Sequence, residues 1–299
     1  MAAFARLRRG HPEAHITLLT TPPFVDVARA SPWFDAVESD GRPERFDAWL
    51  GLVRRLRRAR YDRVYDLQAN DRTNLLFQAL RPAPPVWSGT AFGCALPQDR
   101  VRRRGLHALE READQLNLAG VFPPTPCGPG QAPGPDVRWM LEPGQPSASD
   151  SRLVLLAPGA AARRPLKLWP SASYGALAEA VLAAGFEVAI VGGLAERDAA
   201  AGIQALAPQA MDFTGRTSLI ELARLGAKAR LAVGNDTGPM HLLAAAGAPS
   251  LVLFSADSDP ALNAPRGQVS ILRRPVLADL APAEVIATTL ELLRQGDRA

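Results

Sequence analysis

Between residues 152 and 254 the chain repeats one pattern: a short apolar run ends at a turn, and a helix-patterned stretch follows. The runs are RLVLLAPG (152–159), FEVAIVGG (186–193) and RLAVGNDTG (230–238), with SLVLF (250–254) as a fourth and MDFTG (211–215) as a shorter, weaker one. Residues 173–185, 196–207, 218–229 and 239–248 lie between or beside them with helical spacing, and a last helix is expected over 282–295. Uninterrupted apolar strands separated by helices of this length specify βαβ units. They fold as a parallel sheet covered on both faces.

The first half has the same style with less regularity. HITLLT (15–20) and YDRVYDLQ (61–68) read as strands, and 45–59 and 106–120 as helices. Proline and glycine then crowd into FPPTPCGPGQAPGPD (122–136), which has little capacity for regular structure. The expected organisation is therefore two α/β lobes, 1–140 and 151–299, with a Pro/Gly-rich linker at about 122–150. The opening MAAFARLRRGHPEA reads as a helix and a turn with no strand before it, so the first lobe is expected to be N-terminally incomplete.

Composition excludes several classes. No apolar run approaches the ~20 residues of a membrane-spanning helix. The N-terminal residues include arginines but no apolar signal region, so cytoplasmic placement is expected. Cys94 and Cys127 lack metal-ligand spacing and read as free thiols, and no metal site is expected. Residues 1–145 carry 20 basic and 16 acidic side chains, whereas 146–299 carry 14 of each. The excess suits an anionic partner such as a membrane surface or a charged glycan. No aromatic interleaving or motif points to nucleic acid. Lysine is rare: of 34 basic side chains, only Lys167 and Lys228 are lysines.

In a parallel sheet the ligand crevice lies at the carboxyl ends of the strands. The turns there are Pro158-Gly159-Ala160, Gly192-Gly193, Thr214-Gly215 and Asn235-Asp236-Thr237-Gly238. Glycine lets backbone N–H groups approach a ligand, and helix N-termini favour anions such as phosphate. Asp236-Thr237-Gly238 is not an aspartic protease motif here, because it occurs once and opens an Ala-rich helix. Asp236 or Thr237 reads equally well as a helix N-cap, with Pro239 at the first helical position. His241 falls in the first turn, within reach of a phosphate. Lys167 can place a point charge on a diphosphate, with Arg163 and Arg164 as further cations. Glu196 can accept from a ribose or complement its own helix dipole. In the first lobe, YDLQANDRTN (65–74) brings Asp66, Gln68, Asp71 and Arg72 to one turn, and RVRRRGLH (100–107) adds Arg102 and Arg103.

GNDTGPMHLLAAAGAPSLVLF, with PGA…KLWP, VGG..E and FTGRTSLIELA in the same order, resembles the ADP-heptose:lipopolysaccharide heptosyltransferases, glycosyltransferase family 9. The resemblance covers the second lobe and extends to HPEAHITLLT and YDLQ in the first. It implies a GT-B fold, two Rossmann-like lobes facing a cleft, with the last helix packing back on the first lobe. It also implies inverting, metal-independent transfer of a heptose from a nucleotide-sugar to an envelope glycan, without a cofactor. Carried over by motif, donor contacts fall on Lys167, Glu196, Asp236, Thr237, Gly238, Met240 and His241, with Met240 near the adenosine. Gln68, Arg72, Arg102 and Arg103 fall on the side of an anionic glycolipid or glycan acceptor, with peripheral inner-membrane association. The family's general base belongs to a Gly-Asp loop that this sequence does not contain. The catalytic residue is therefore unassigned, with Asp66 as a substitute. Two alternatives remain: a catalytically impaired nucleotide-sugar-binding fragment, or a GT-B enzyme that uses another sugar nucleotide.

Overall fold

The computed structural model describes residues 1–39, 42–43, 45–142, 151–160 and 164–296. The chain forms two compact units, Met1–Pro133 and Gly134–Ala299. The division falls inside the Pro/Gly-rich stretch.

The first unit runs α1 (Ala2–Gly10), β1 (Thr17–Thr20), α2 (Val25–Arg29), β2 (Ala36–Ser39), α3 (Phe46–Ala59), β3 (Arg63–Tyr65), α4 (Asp71–Ala79), β4 (Val86–Gly89), β5 (Leu96–Pro97), α5 (Arg100–Arg104) and α6 (Ala108–Leu118). Its strands are parallel and form two separate sheets, β1-β2 and β3-β4-β5. Strand β1 is only half-buried along its length. Helix α1 lies against α6 through Ala3, Leu7, Leu116 and Val121. The buried Arg6 guanidinium donates to the carbonyls of Ala113 and Val121. Helix α4 opens with a reciprocal cap, in which Asn70 accepts from the Thr73 N–H and Thr73 accepts from the Asn70 N–H.

The second unit continues with β6 (Leu153–Ala157), α7 (Ser171–Ala183), β7 (Glu187–Ile190), α8 (Arg197–Gln204), β8 (Met211–Asp212), α9 (Leu219–Lys228), β9 (Leu231–Asn235), α10 (Gly238–Ala245), β10 (Ser250–Phe254), α11 (Pro260–Asn263), β11 (Val269–Arg273) and α12 (Pro282–Gly296). All six strands are parallel, in the order β11-β10-β9-β6-β7-β8. This is the order of a doubly wound dinucleotide-binding sheet. The edge strand β11 has no counterpart among the apolar runs, because VSILR carries Arg273 and half-exposed positions rather than an unbroken apolar stretch.

Side-chain alternation divides the core between the two faces of this sheet. Val154 and Leu156 point to one face, with Tyr174, Leu177 and Val181 of α7, Ile203 of α8, and Val285 and Leu293 of α12. Leu155 and Ala157 point to the other, with Leu222 of α9 and Met240 and Leu243 of α10. Every residue of β9 and β10 is buried. Each large apolar side chain withdrawn from water in this way contributes about 1.5–3 kcal/mol. The last helix, α12, packs principally against α7 of the same unit. Among the described residues no helix is long and apolar enough to cross a membrane.

Candidate functional site

The middle of the six-stranded sheet is where the winding reverses. Strands β6 and β9 are neighbours there, and the helices that follow them, α7 and α10, pack on opposite faces, which is where a doubly wound sheet places its ligand crevice. The loop after β6 carries Pro158 and Gly159, followed by a single 3-10 turn at Pro165–Lys167. The loop after β9 is Asp236-Thr237, which leads into α10.

These two loops meet through charge. Lys167 Nζ lies 2.5 Å from Asp236 Oδ2 and 3.4 Å from the Asp236 carbonyl oxygen. Both side chains are buried. On the other carboxylate oxygen, His241 Nε2 stands 3.6 Å from Asp236 Oδ1, with the imidazole 42% exposed. Burial by itself would raise the Asp236 carboxyl. His241, Lys167 and Ser258 as hydrogen-bond donors, together with the lysine charge, outweigh it and hold the carboxyl at about 2. Asp236 is thus an anion that organises two cations or donors, one buried and one facing solvent.

The start of α10 corrects the expected cap. Gly238 is the first helical residue and Pro239 the second, and among the described residues no side chain caps the helix. Thr237 stands at the N-cap position, but its hydroxyl donates back to the Asn235 carbonyl at 3.2 Å. Asp236 is engaged by Lys167 instead. The half-exposed first turn of α10, open at Gly238, therefore has no side-chain acceptor among the described residues, and it lies beside Lys167 and His241, an arrangement suited to phosphate. Met240, expected near the adenosine, turns its side chain into the core beneath this turn. It is fully buried, and its sulfur fills the space beside Gly234, where an added Cβ would come within 2.7 Å of Sδ.

Glu196 closes the third side. Its Oε2 accepts from the Gly193 N–H at 2.7 Å, and the side chain lies over Gly159 and Gly192. A Cβ on Gly159 would meet Glu196 Oε1 at 2.8 Å. Glycine at both turns admits the carboxylate between the loops after β6 and β7. Arg164 is exposed and reaches the Asp257 carbonyl at 3.4 Å. Arg163 lies outside the described residues.

In the first unit, Asp66 sits under the turn after β3. It is 6% exposed, Oδ1 accepts from the Ala69 N–H at 2.9 Å, and Oδ2 has no hydrogen-bond partner among the described residues. Burial raises its pKa, although hydrogen bonds from Thr73 and Ala69 act against the rise. Gln68 lines a cavity of about 190 Å³ with Asp71, Thr90, Arg100, Arg103, Arg104 and Arg111. Arg72, next along α4, is not in its wall.

The two arginines singled out from sequence have structural partners. Arg102 pairs with the buried Asp114 at 2.6 Å. Arg103 lines the cavity but is held by Gln98, Gln115 and the Leu67 carbonyl. Arg100 and Arg111 each donate Nε to a carbonyl, of Thr90 and Leu106 respectively, and among the described residues their terminal nitrogens make no hydrogen bond. Among the described residues, Arg100, Arg104 and Arg111 have no carboxylate partner. Arg100 and Arg104 belong to the cluster 100–107 read from sequence without being singled out there, and Asn235 was read only as part of the turn 235–238; Arg111, Tyr174 and Ser258 were missed. Asn235 left a further signal, as a polar residue closing an apolar strand.

A doubly wound sheet with a lysine, a histidine and the start of a helix gathered at its switch point defines the class: an α/β protein with a parallel sheet of the dinucleotide-binding type. The glycosyltransferase family 9 (heptosyltransferase) profile matches residues 49–273, and the chain belongs to that family. It is a glycosyltransferase of the heptosyltransferase family. The chain is 23% identical over 265 residues to lipopolysaccharide heptosyltransferase 3 of Escherichia coli, covering 84% of this chain and 77% of that protein. It is 29% identical over 140 residues to lipooligosaccharide heptosyltransferase 2 of Haemophilus influenzae, covering 45% and 37%. In fold it matches the E. coli ADP-heptose lipopolysaccharide heptosyltransferase II with a TM-score of 0.74 at 20% identity, over 98% of this chain and 94% of that one. An E. coli heptosyltransferase with ADP matches with a TM-score of 0.72 at 19% identity, over 97% and 94%.

Proposed function

We propose that this protein transfers a heptose from ADP-heptose to an anionic envelope glycan of the lipopolysaccharide type, with inversion and without a metal. The observation that carries the donor reading is the meeting of Lys167, Asp236 and His241 beside the uncapped start of α10, at the switch point of the second unit. A diphosphate in that place takes charge from Lys167, hydrogen bonds from the first N–H groups of α10, and a further donor from His241. Thr237 and Gly238 supply backbone rather than side chain. Glu196, between the loops after β6 and β7, accepts from ribose hydroxyls. The relatives named for ADP-heptose or ADP support adenine over other bases.

In the reaction the acceptor hydroxyl oxygen forms a bond to the anomeric carbon from the face opposite the diphosphate. The bond from that carbon to the phosphate oxygen breaks, ADP leaves with the electron pair, and the hydroxyl proton passes to a base. The second unit's part is to stabilise charge on the departing diphosphate. Asp66 is not assigned as the base, because its carboxylate lies beneath the turn it holds. The cavity of the first unit supports the acceptor reading, with Arg100, Arg104 and Arg111 as its cations. The basic excess of the first half suits peripheral association with an anionic inner leaflet.

The test is calorimetric titration with ADP, followed by transfer from ADP-heptose to truncated lipopolysaccharide in the presence of EDTA. Binding of ADP with loss of affinity in Lys167→Ala supports the donor site. A protein that binds neither ADP nor ADP-heptose rules out this donor. Tight donor binding without turnover on any envelope glycan identifies the impaired, binding-only form.

A further inference from the structure

Asn235 is a buried polar side chain with three hydrogen bonds, none of which serves its own strand. Its Oδ1 accepts from the Tyr174 hydroxyl at 3.0 Å, and its Nδ2 donates to the carbonyls of Pro158 at 2.9 Å and Gly159 at 3.1 Å. Asn235 and Tyr174 are both fully buried. A carboxamide in such a place is unfavourable unless bonded, and an apolar side chain would satisfy the sheet as well. The bonds it makes instead run between elements: the end of β9, the start of α7 and the loop after β6.

That loop carries Lys167, and it is held at both ends. Asn235 holds Pro158 and Gly159. At the other end Trp169, fully buried, donates Nε1 to the Leu280 carbonyl at 2.9 Å and packs edge-on against Tyr174, ring centroids 4.7 Å apart. Tyr174 therefore touches both anchors. Asp236 follows Asn235 directly, so one backbone step links the anchor to the lysine's partner. A fully bonded buried network of this kind selects one arrangement among several that simple apolar packing would tolerate.

From these contacts we infer that Asn235 and Tyr174 are positioning residues for the donor site. They fix Pro158 and Gly159 at one end of the loop after β6 and Trp169, two positions from Lys167, at the other, and so hold Lys167 against Asp236 before any ligand arrives. The inference rests on the donor reading above for its functional consequence, and on the bracket's own geometry for its structural one.

The test compares Asn235→Leu, Tyr174→Phe, the double variant and Ile203→Ala, a core control in α8. Titration with ADP is made at a temperature where all are folded by circular dichroism, and hydrogen exchange is followed in peptides covering 157–160 and 235–238. The expected result is at least a tenfold rise in the ADP Kd for Asn235→Leu and about threefold for Tyr174→Phe. The double variant should be no worse than Asn235→Leu, because the hydroxyl acts through the carboxamide. Exchange should quicken in those two segments, while Ile203→Ala lowers Tm but leaves Kd and that exchange within twofold. The inference is overturned if Asn235→Leu is folded with wild-type affinity, or if Ile203→Ala weakens ADP as much. Should Asn235→Leu fail to fold, Tyr174→Phe decides by the same two readings. Should the wild-type protein not bind ADP, the donor reading fails, and unchanged exchange in Asn235→Leu would separately refute the bracket.

Discussion

Lys167 and Asp236 are 69 positions apart in sequence, yet Nζ of one and Oδ2 of the other meet at 2.5 Å in a place from which both side chains are nearly excluded from water. Removing one member of a buried pair leaves the other charge without compensation, a loss of about 3–5 kcal/mol. Lys167→Ala should therefore lower the stability of the second unit by about 3 kcal/mol in urea unfolding and raise the ADP Kd by more than tenfold. Asp236→Asn keeps the shape and accepts from Lys167 through its amide oxygen, so its stability loss should be smaller, about 1–2 kcal/mol. Equal ADP affinity in Lys167→Ala and wild type would remove the lysine from the diphosphate site.

The same pair predicts an acid limb. Asp236 in the folded protein holds its carboxyl at about 2, below the roughly 3.9 of an unfolded chain. The folded state thus binds this proton more weakly than the unfolded state. The resulting stabilisation, roughly 2 kcal/mol, is complete above about pH 4 and disappears as pH falls through about 2. In Asp236→Asn that part of the pH dependence should be missing. Unfolding free energies measured between pH 2 and pH 5 for the two proteins give the comparison, and parallel curves would contradict it.

Two glycines should respond oppositely to the same methyl group. A Cβ on Gly234 would come within 2.7 Å of the Ala157 carbonyl oxygen and of Met240 Sδ, in the fully buried middle of the sheet. Gly234→Ala should destabilise by about 1–3 kcal/mol through overpacking. A Cβ on Gly159 would meet the Glu196 carboxylate at 2.8 Å, at the end of a side chain that can swing aside. Gly159→Ala should leave Tm within about 2 °C but weaken ADP through displacement of Glu196. Thermal unfolding and ADP titration of both variants separate the two outcomes, and a Gly159→Ala protein with normal ADP affinity would detach Glu196 from the nucleotide.

How much of this could be read in advance depended on where the information lay. The second unit was legible because its strands are buried on both faces and so are continuously apolar, and each ends at a turn at the same sheet edge. Even the weak run 211–215 became a strand, at Met211–Asp212. Strand β11 stayed hidden because an edge strand needs no such composition. The donor motif was legible as residue types but not as contacts. Lys167 read as a diphosphate ligand, whereas its partnership with Asp236 needed the loops of β6 and β9 side by side. The packing of Met240 over Gly234 was not legible, since a methionine beside a ligand motif and one filling a core gap look alike in sequence. Among the arginines, sequence offered a cluster but no means of telling which were already engaged.

That division among the arginines makes the last prediction. Arg102 is bound to Asp114, whose carboxylate is buried and also accepts from Gln98 Nε2 at 2.8 Å. Arg102→Ala should lower stability by about 1–2 kcal/mol, because Asp114 keeps one of its two partners. Arg104 is exposed, lines the 190 Å³ cavity, and has no carboxylate partner among the described residues, so Arg104→Ala removes charge without breaking an ion pair. Among the described residues the terminal nitrogens of Arg100 and Arg111 at the same cavity make no hydrogen bond, and the arginines there outnumber the one carboxylate, Asp71, so an anion relieves their mutual repulsion. In a transfer assay, Arg104→Ala and the Arg100→Ala/Arg104→Ala double variant should raise the acceptor KM, roughly tenfold for each charge-assisted hydrogen bond removed. The ADP Kd should not move. Raising the salt concentration should weaken acceptor use by wild type more than by the double variant, since screening acts on charges that are still present. If Arg102→Ala raises the acceptor KM while the double variant does not, the anion is held at α5 by the residues first named from sequence, and the cavity is not its site.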